Sequence, residues 1–205
     1  MSIDLSKKLA AFSAGLTLED VPVEAIANGK LAILDCLGVS VLAVSDEVGQ
    51  VILRLARKES WQGPCTIWGS AARASARDAA FANATLAHAL DYDDGGHVTT
   101  YILPASAALA ERGSMSGRTL LEAFIAGREV RMSLDPLFAN RFAGVGPGAR
   151  GWHANGILGP IAAACAAGKI LALDVMQLVL RPARAARWDA TAEQWPNPSA
   201  PVTPR

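Results

Sequence analysis

Two stretches of this chain, Ala71 to Ala89 and Asn155 to Asp174, consist largely of small residues. Phe81 and Leu86 are the bulky apolar side chains of the first, and Ile157, Leu158, Ile161, Cys165 and Ile170 recur at helical spacing in the second. Alanine is the best helix former and leaves a thin surface, so such segments fold as helices packed closely on neighbours. Other segments conform. Ile3 to Ala14 places Leu5, Leu9 and Phe12 on one side of a short amphipathic helix that Gly15 ends. Thr17 to Pro22 supplies a capping side chain, early carboxylates and a first-turn proline. Ala25, Ile26, Leu31, Ile33, Leu34, Leu37 and Val41 then predict a long, largely buried helix. Val48 to Lys58, Ile102 to Arg112 and Ser116 to Met132 repeat the period, with Ser116 as a cap. Gly63 to Gly69 is bounded by breakers and too short for a helix, so it reads as an extended connector, and Gly144 to Gly151 reads as a mobile loop. No strand-rich or alternating pattern appears, and the expected architecture is an all-α helical bundle.

At 205 residues and 51% hydrophobic, the chain can bury a sizeable core, which excludes disorder throughout. Nineteen basic and nineteen acidic side chains cancel, so no net field draws in nucleic acid or an anionic membrane. A small molecule or another protein is the expected partner. Cys36, Cys65 and Cys165 are far apart and set among apolar neighbours, which fits neither a disulfide framework nor a metal-thiolate spacing. They read as buried hydrophobes in a reducing, cytoplasmic setting. The first residues make a poor secretory signal. The two most apolar runs, Leu31 to Val44 and Ile157 to Leu173, are broken by Asp35 and by Pro160 and Lys169. They read as buried helices rather than membrane spans.

The chemistry concentrates in His88 to Thr100, HALDYDDGGHVTT. Three carboxylates, Asp91, Asp93 and Asp94, follow the end of the Ala71 to Ala89 helix, and Gly95-Gly96 lets the backbone turn back so that His97 faces them. Such a cluster reads either as a reaction centre or as a solvated helix end. His88, one turn before Asp91, reads as a satisfied, buried histidine. His153 stands at a helix entrance, where exposed amides favour anions; it is either a carboxylate contact or a structural cap. Arg128 and Arg131 are spaced to grip a carboxylate but read better as a solvated or ion-paired face. Trp61, Trp68 and Trp152 read as core or interface anchors. No catalytic-serine order, phosphate loop or dinucleotide fingerprint is present.

Six stretches taken together resemble the N-terminal part of the helical domain of the MmgE/PrpD family, which includes 2-methylcitrate dehydratase and cis-aconitate decarboxylase. They are AILDCLGVSVLA, IWG, DAAFANATLAHALDYDD, LPASAALAE, SGRTLLEAFIAGREV and GWHANGILGPIAAACAAGKILALD, in the family's order between Ala32 and Asp174. The resemblance implies a helical bundle followed by a smaller lid domain, a homodimer, and no metal or cofactor. It also implies that Asp91, first of the DYDD element, and His97, at the family's distance from Leu103-Pro104, belong to the active site. His153, Asp94 and Thr99 follow as expected substrate contacts. The sequence departs from the family at Val98-Thr99, where Pro-Ser is usual, and at Gly95, where threonine is common.

These readings predict a lyase-type protein that takes a proton from carbon beside a carboxylate while water or carbon dioxide leaves a small tri- or dicarboxylate. Residues 1–178 are expected to form a partial helical domain. From Arg181 the chain turns dense in Arg, Pro and Ala, so residues 179–205 are expected to be a disordered tail. The family's later lysines and lid cannot be found after Met176, and the tail looks like translation out of frame. Little or no turnover is therefore expected; resequencing should find family-like sequence downstream in another frame. The alternative expectation is a non-catalytic helical fragment that serves dimerisation or binding.

Overall fold

The computed structural model describes residues 3–92, 94–137 and 151–179. Asp93, the expected mobile loop of Gly144 to Gly151 except its last residue, and the expected tail of residues 179–205 except its first, lie outside the described residues. The order is α1 (Ile3–Gly15), α2 (Val23–Ala43), α3 (Glu47–Lys58), β1 (Cys65–Thr66), β2 (Arg73–Ala74), α4 (Ala76–His88), α5 (Thr99–Arg112), α6 (Gly117–Leu134) and α7 (Ala154–Ile170). Short 3-10 turns lie at Leu18–Asp20 and Asp135–Leu137, and residues 175–179 are helical. The architecture is all-α, as the periodicity requires.

The helix starts are set by polar side chains that take up otherwise orphaned amides. Asp46 accepts from the Val48 amide ahead of α3 (3.0 Å), Ser75 from Asp78 ahead of α4 (3.2 Å), and Ser116 from Thr119 ahead of α6 (3.1 Å). Basic residues at the ends of α3, α5 and α6 complement the carbonyl end of the helix dipole.

α5 is the central element, packed against α4 on one side and against α6 and α7 on the other. Ile102 and Leu103 of α5 and Phe124 of α6 are fully buried there, each removing some 1.5–3 kcal/mol worth of apolar surface from water. The small residues do what their size predicts: Ala79, Ala82 and Ala87 of α4 and Ala162 and Ala166 of α7 are buried at helix contacts. At Gly127 of α6 the helices approach closely, because a Cβ there would lie 3.0 Å from the Ala162 carbonyl oxygen, the Ala166 methyl and Ile102. Lys169 of α7 donates to the carbonyls of Ala14 and Leu16 and so closes the end of α1.

One local expectation is extended and another is corrected. The connector from Gly63 to Gly69 contributes a strand to a two-residue antiparallel ladder, with Cys65 opposite Ala74 and Thr66 opposite Arg73. It is held from outside: buried Asn83 of α4 accepts from the Trp68 amide and donates to the Thr66 carbonyl, both at 2.9 Å. More consequentially, α2 is not largely buried. Cys36, Val39, Ser40 and Ala43 face inward, whereas Leu31, Leu34, Val41 and Leu42 are exposed. The sequence misleads here because α2 is apolar around most of its circumference, and that pattern records how many neighbours a helix can accept rather than how many it has. By length and composition alone α2 is long and apolar enough to cross a bilayer.

The packing makes opposite forecasts for two glycine substitutions. Alanine at Gly127 must push α6 off α7 against a backbone carbonyl, and Gly127→Ala should lower the unfolding free energy by about 1–3 kcal/mol. Gly38 sits on the exposed side of α2 with open space where a Cβ would go, and Gly38→Ala should raise it by roughly 0.5–1 kcal/mol. Urea unfolding of both variants checks the pair; a stabilised Gly127→Ala would show that the helices can move apart freely.

Candidate functional site

The site grows out of the end of α4. The chain leaves the helix at His88, and Asp91 enters the left-handed region (φ 57°) with its amide donating to the His88 carbonyl at 3.3 Å. Gly96 (φ 99°) and His97 (φ 60°) then reverse the direction. The His97 amide donates to the Asp94 carbonyl at 2.8 Å, and the Thr100 hydroxyl donates to the His97 carbonyl at 2.8 Å, leading into α5. Aspartate and histidine adopt the left-handed region more readily than most non-glycine residues, and the hydrogen bonds of the loop hold both residues there.

The result is a compact cluster. His97 Nε2 lies 3.4 Å from Asp91 Oδ1, and His88 Nδ1 lies 3.9 Å from the same oxygen. The two imidazole rings are 4.4 Å apart between centroids and tilted by 50°. The side chains are 76% exposed for Asp91, 51% for His88 and 31% for His97, so the cluster opens to solvent. The expectation of a buried His88 is corrected by that exposure, in the last turn of α4. One ligand atom from each of the three residues falls within 4.8 Å of the others, a separation that a metal ion could bridge.

Two arginines of α6 hold this loop. Arg128 pairs with Asp94, which also accepts from the Thr99 amide (3.2 Å) and hydroxyl (2.9 Å). Asp94 and buried Thr99, expected as substrate contacts, are thus joined to each other and to Arg128, and they start α5. Arg131 is ion-paired with Asp135 as expected, but it is buried rather than solvated. It donates to the Tyr101 hydroxyl (3.0 Å) and to Asn155 Oδ1 (3.1 Å), and Asn155 in turn donates to the Gly96 carbonyl (2.9 Å). Tyr101 and Asn155 escape a reading for reactive side chains; their only signal is position, one helical turn after His97 and two residues after His153. Burial pushes the Tyr101 phenol up to about 12, with Arg131 opposing the shift.

His153 is the exposed N-cap residue of α7. Its helix is tied to the cluster by the Asn155 bond to Gly96, but among the described residues His153 forms no ion pair with Asp91. Asp91 and His97, expected together in the active site, are in contact at 3.4 Å, and His153, expected as a substrate contact, stands on the neighbouring helix. A cavity of about 310 Å³ lies elsewhere, between α2, α5 and α6, lined by Ile33, Leu37, Trp68, Leu103, Met115 and Leu120 among others.

Residues 7–195 match the model described as the MmgE/PrpD N-terminal domain. The chain is 31% identical over 179 residues to a cis-aconitate decarboxylase of Homo sapiens and 30% identical over 180 residues to that of Mus musculus. It is 24% identical over 183 residues to a cis-aconitate decarboxylase-like protein of Aspergillus oryzae. Each similarity covers 83% of this chain, but the chain spans only 36% of the length of the two mammalian proteins and 37% of the fungal one.

The Tyr101 shift sets a pH dependence. The folded protein holds the phenolic proton more tightly than the unfolded chain, so the contribution to stability is complete below the ordinary value of 10.0 and is lost as pH rises through about 12. Chemical unfolding across that window should show stability falling with pH, and Tyr101→Phe should flatten the fall; an identical slope in the variant would place the alkaline sensitivity elsewhere.

Proposed function

The chain belongs to the MmgE/PrpD family, and on that premise we propose that it carries the proton-transfer pair of a lyase site for small tri- or dicarboxylates, of the dehydratase or decarboxylase kind. The observation that carries this reading is the 3.4 Å approach of His97 Nε2 to Asp91 Oδ1, on the element where the family places its active-site acid. Imidazole both takes and gives protons near neutrality. In a dehydration His97 takes the proton from carbon beside a carboxylate, the freed electron pair forms the double bond, and hydroxide leaves the neighbouring carbon with a proton. In a decarboxylation the bond to a carboxylate breaks, carbon dioxide departs, and His97 delivers a proton to the carbon that keeps the electrons. Asp91 orients the imidazole and stabilises its charged form in either direction. A substrate carboxylate meets His153 and the amides opening α7, on a helix fixed to the loop by Asn155. Cis-aconitate is the first ligand to try, because the mammalian relatives are named for it.

The exposed Leu31, Leu34, Val41 and Leu42 of α2 favour a second reading, in which this bundle also serves association between two copies. A row of apolar side chains along one helix is more surface than a monomer ordinarily leaves to water.

The test follows the imidazole resonances of the full chain by NMR while cis-aconitate or 2-methylcitrate is added, with product formation read in the same samples. Saturable shifts of the His97 resonances are expected, and any turnover should fall by about 10²–10⁴-fold in His97→Gln. A folded chain whose His97 resonances ignore both acids would refute the proposal. For association, Leu34→Glu should convert a dimer to a monomer in sedimentation; a parent chain that is already monomeric at high concentration would exclude the second reading.

A further inference from the structure

Proton transfer does not account for His88. Its ring lies 4.4 Å from that of His97 between centroids, tilted by 50°, and its Nδ1 lies 3.9 Å from the Asp91 oxygen that His97 also approaches. We infer that His88, Asp91 and His97 form a binding site for a divalent transition-metal ion of the zinc class, and that metal binding and proton transfer exclude each other there. The metal site stands on its own geometry; only the exclusion rests on the function proposed above.

The spacing is that of a nearly assembled site. Zinc takes imidazole nitrogen at about 2.0–2.1 Å and carboxylate oxygen at about 2.0–2.2 Å in a tetrahedral arrangement, which sets neighbouring ligand atoms roughly 3.3–3.5 Å apart. The Asp91 to His97 separation of 3.4 Å already fits. The Asp91 to His88 separation of 3.9 Å is slightly wide, and all three ligand atoms lie within 4.8 Å of one another. Binding an ion requires the remaining gap to close by side-chain rotation, for which the exposure of His88 and Asp91 leaves room on the solvent side. All three ligands come from a span of ten residues, so bringing them together adds little loop-closure entropy. The loop is anchored at Asp94 by Arg128 and at Gly96 by Asn155.

The donor set names the ion. Two imidazoles and one carboxylate suit zinc, cobalt or nickel, whereas calcium and magnesium prefer oxygen throughout. A thiolate site is a different place, because Cys36, Cys65 and Cys165 are all buried. Three protein ligands leave a fourth position toward solvent for water or for a ligand carboxylate. A bound ion takes the lone pairs of His97 Nε2 and the Asp91 carboxylate, the same electrons that move the proton.

The experiment uses the full, untagged chain, freed of metal with a chelator and titrated calorimetrically with zinc; cobalt in a parallel sample reports the ligands by its visible spectrum. One zinc per chain is expected. His88→Gln, His97→Gln and Asp91→Asn should each weaken it by more than about a hundredfold, beyond the roughly 10–100-fold that loss of an outer partner alone commonly costs, and His153→Gln should leave it unchanged. Cobalt should give tetrahedral bands without a thiolate charge-transfer band. Zinc affinity untouched by His88→Gln and His97→Gln, in variants with parent-like circular dichroism, would overturn the proposal, as would a thiolate band. His88→Gln also separates the two readings: loss of zinc with the cis-aconitate response intact supports the metal site, and a cis-aconitate response without zinc binding in the parent removes the metal site alone.

Discussion

Two arginines one helical turn apart on α6 determine the shape of the loop on which the chemistry depends. Arg128 fixes Asp94, and Arg131, through Asn155, fixes the carbonyl of Gly96. Between these anchors the chain turns through Gly96 and leaves Asp91 and His97 in left-handed conformations. The arginines are placed in turn by the close contacts of α6 with α7 and α5 around Gly127. Packing of small residues is therefore the remote cause of the local loop geometry.

The division of the carboxylates follows from the same arrangement. Asp91 and Asp94 are only three residues apart, yet they have opposite surroundings. Asp94 accepts from Thr99 and Arg128, which satisfies its charge and spends it on holding α5. Asp91 is mostly exposed with two imidazoles beside it. A carboxylate that is fully partnered positions other groups, while one that faces solvent can meet a ligand.

Much of the fold is legible in the sequence because helical periodicity and small-residue composition are local signals. The caps at Ser116 and the extents of α1, α3 and α6 follow from a few neighbouring residues, and so does the family, through motifs in fixed order. The turn that brings His97 to Asp91 is also readable, since two adjacent glycines after a helix leave few alternatives. What sequence hides is the number of partners a surface has. α2 carries the composition of a core helix and nonetheless exposes Leu31, Leu34, Val41 and Leu42. His88 reads as a core histidine and faces out, and Arg131 reads as a surface charge and is buried. The roles of Tyr101 and Asn155 depend on contacts across 30 and 24 residues with Arg131, which no local pattern contains.

Openness is the property that decides between the chemistries available to the His88, Asp91 and His97 cluster. A general base works best where water is excluded, because charge developing beside it is then stabilised by fixed dipoles rather than by solvent that must reorganise. A metal site tolerates water and can use it to fill a coordination position. The cluster as it stands, with Asp91 open to solvent, satisfies the second requirement directly and the first only if some other surface covers it. Ligand or protein that closes over Asp91 would thus shift the same three side chains from ion binding toward proton transfer without moving the loop that holds them.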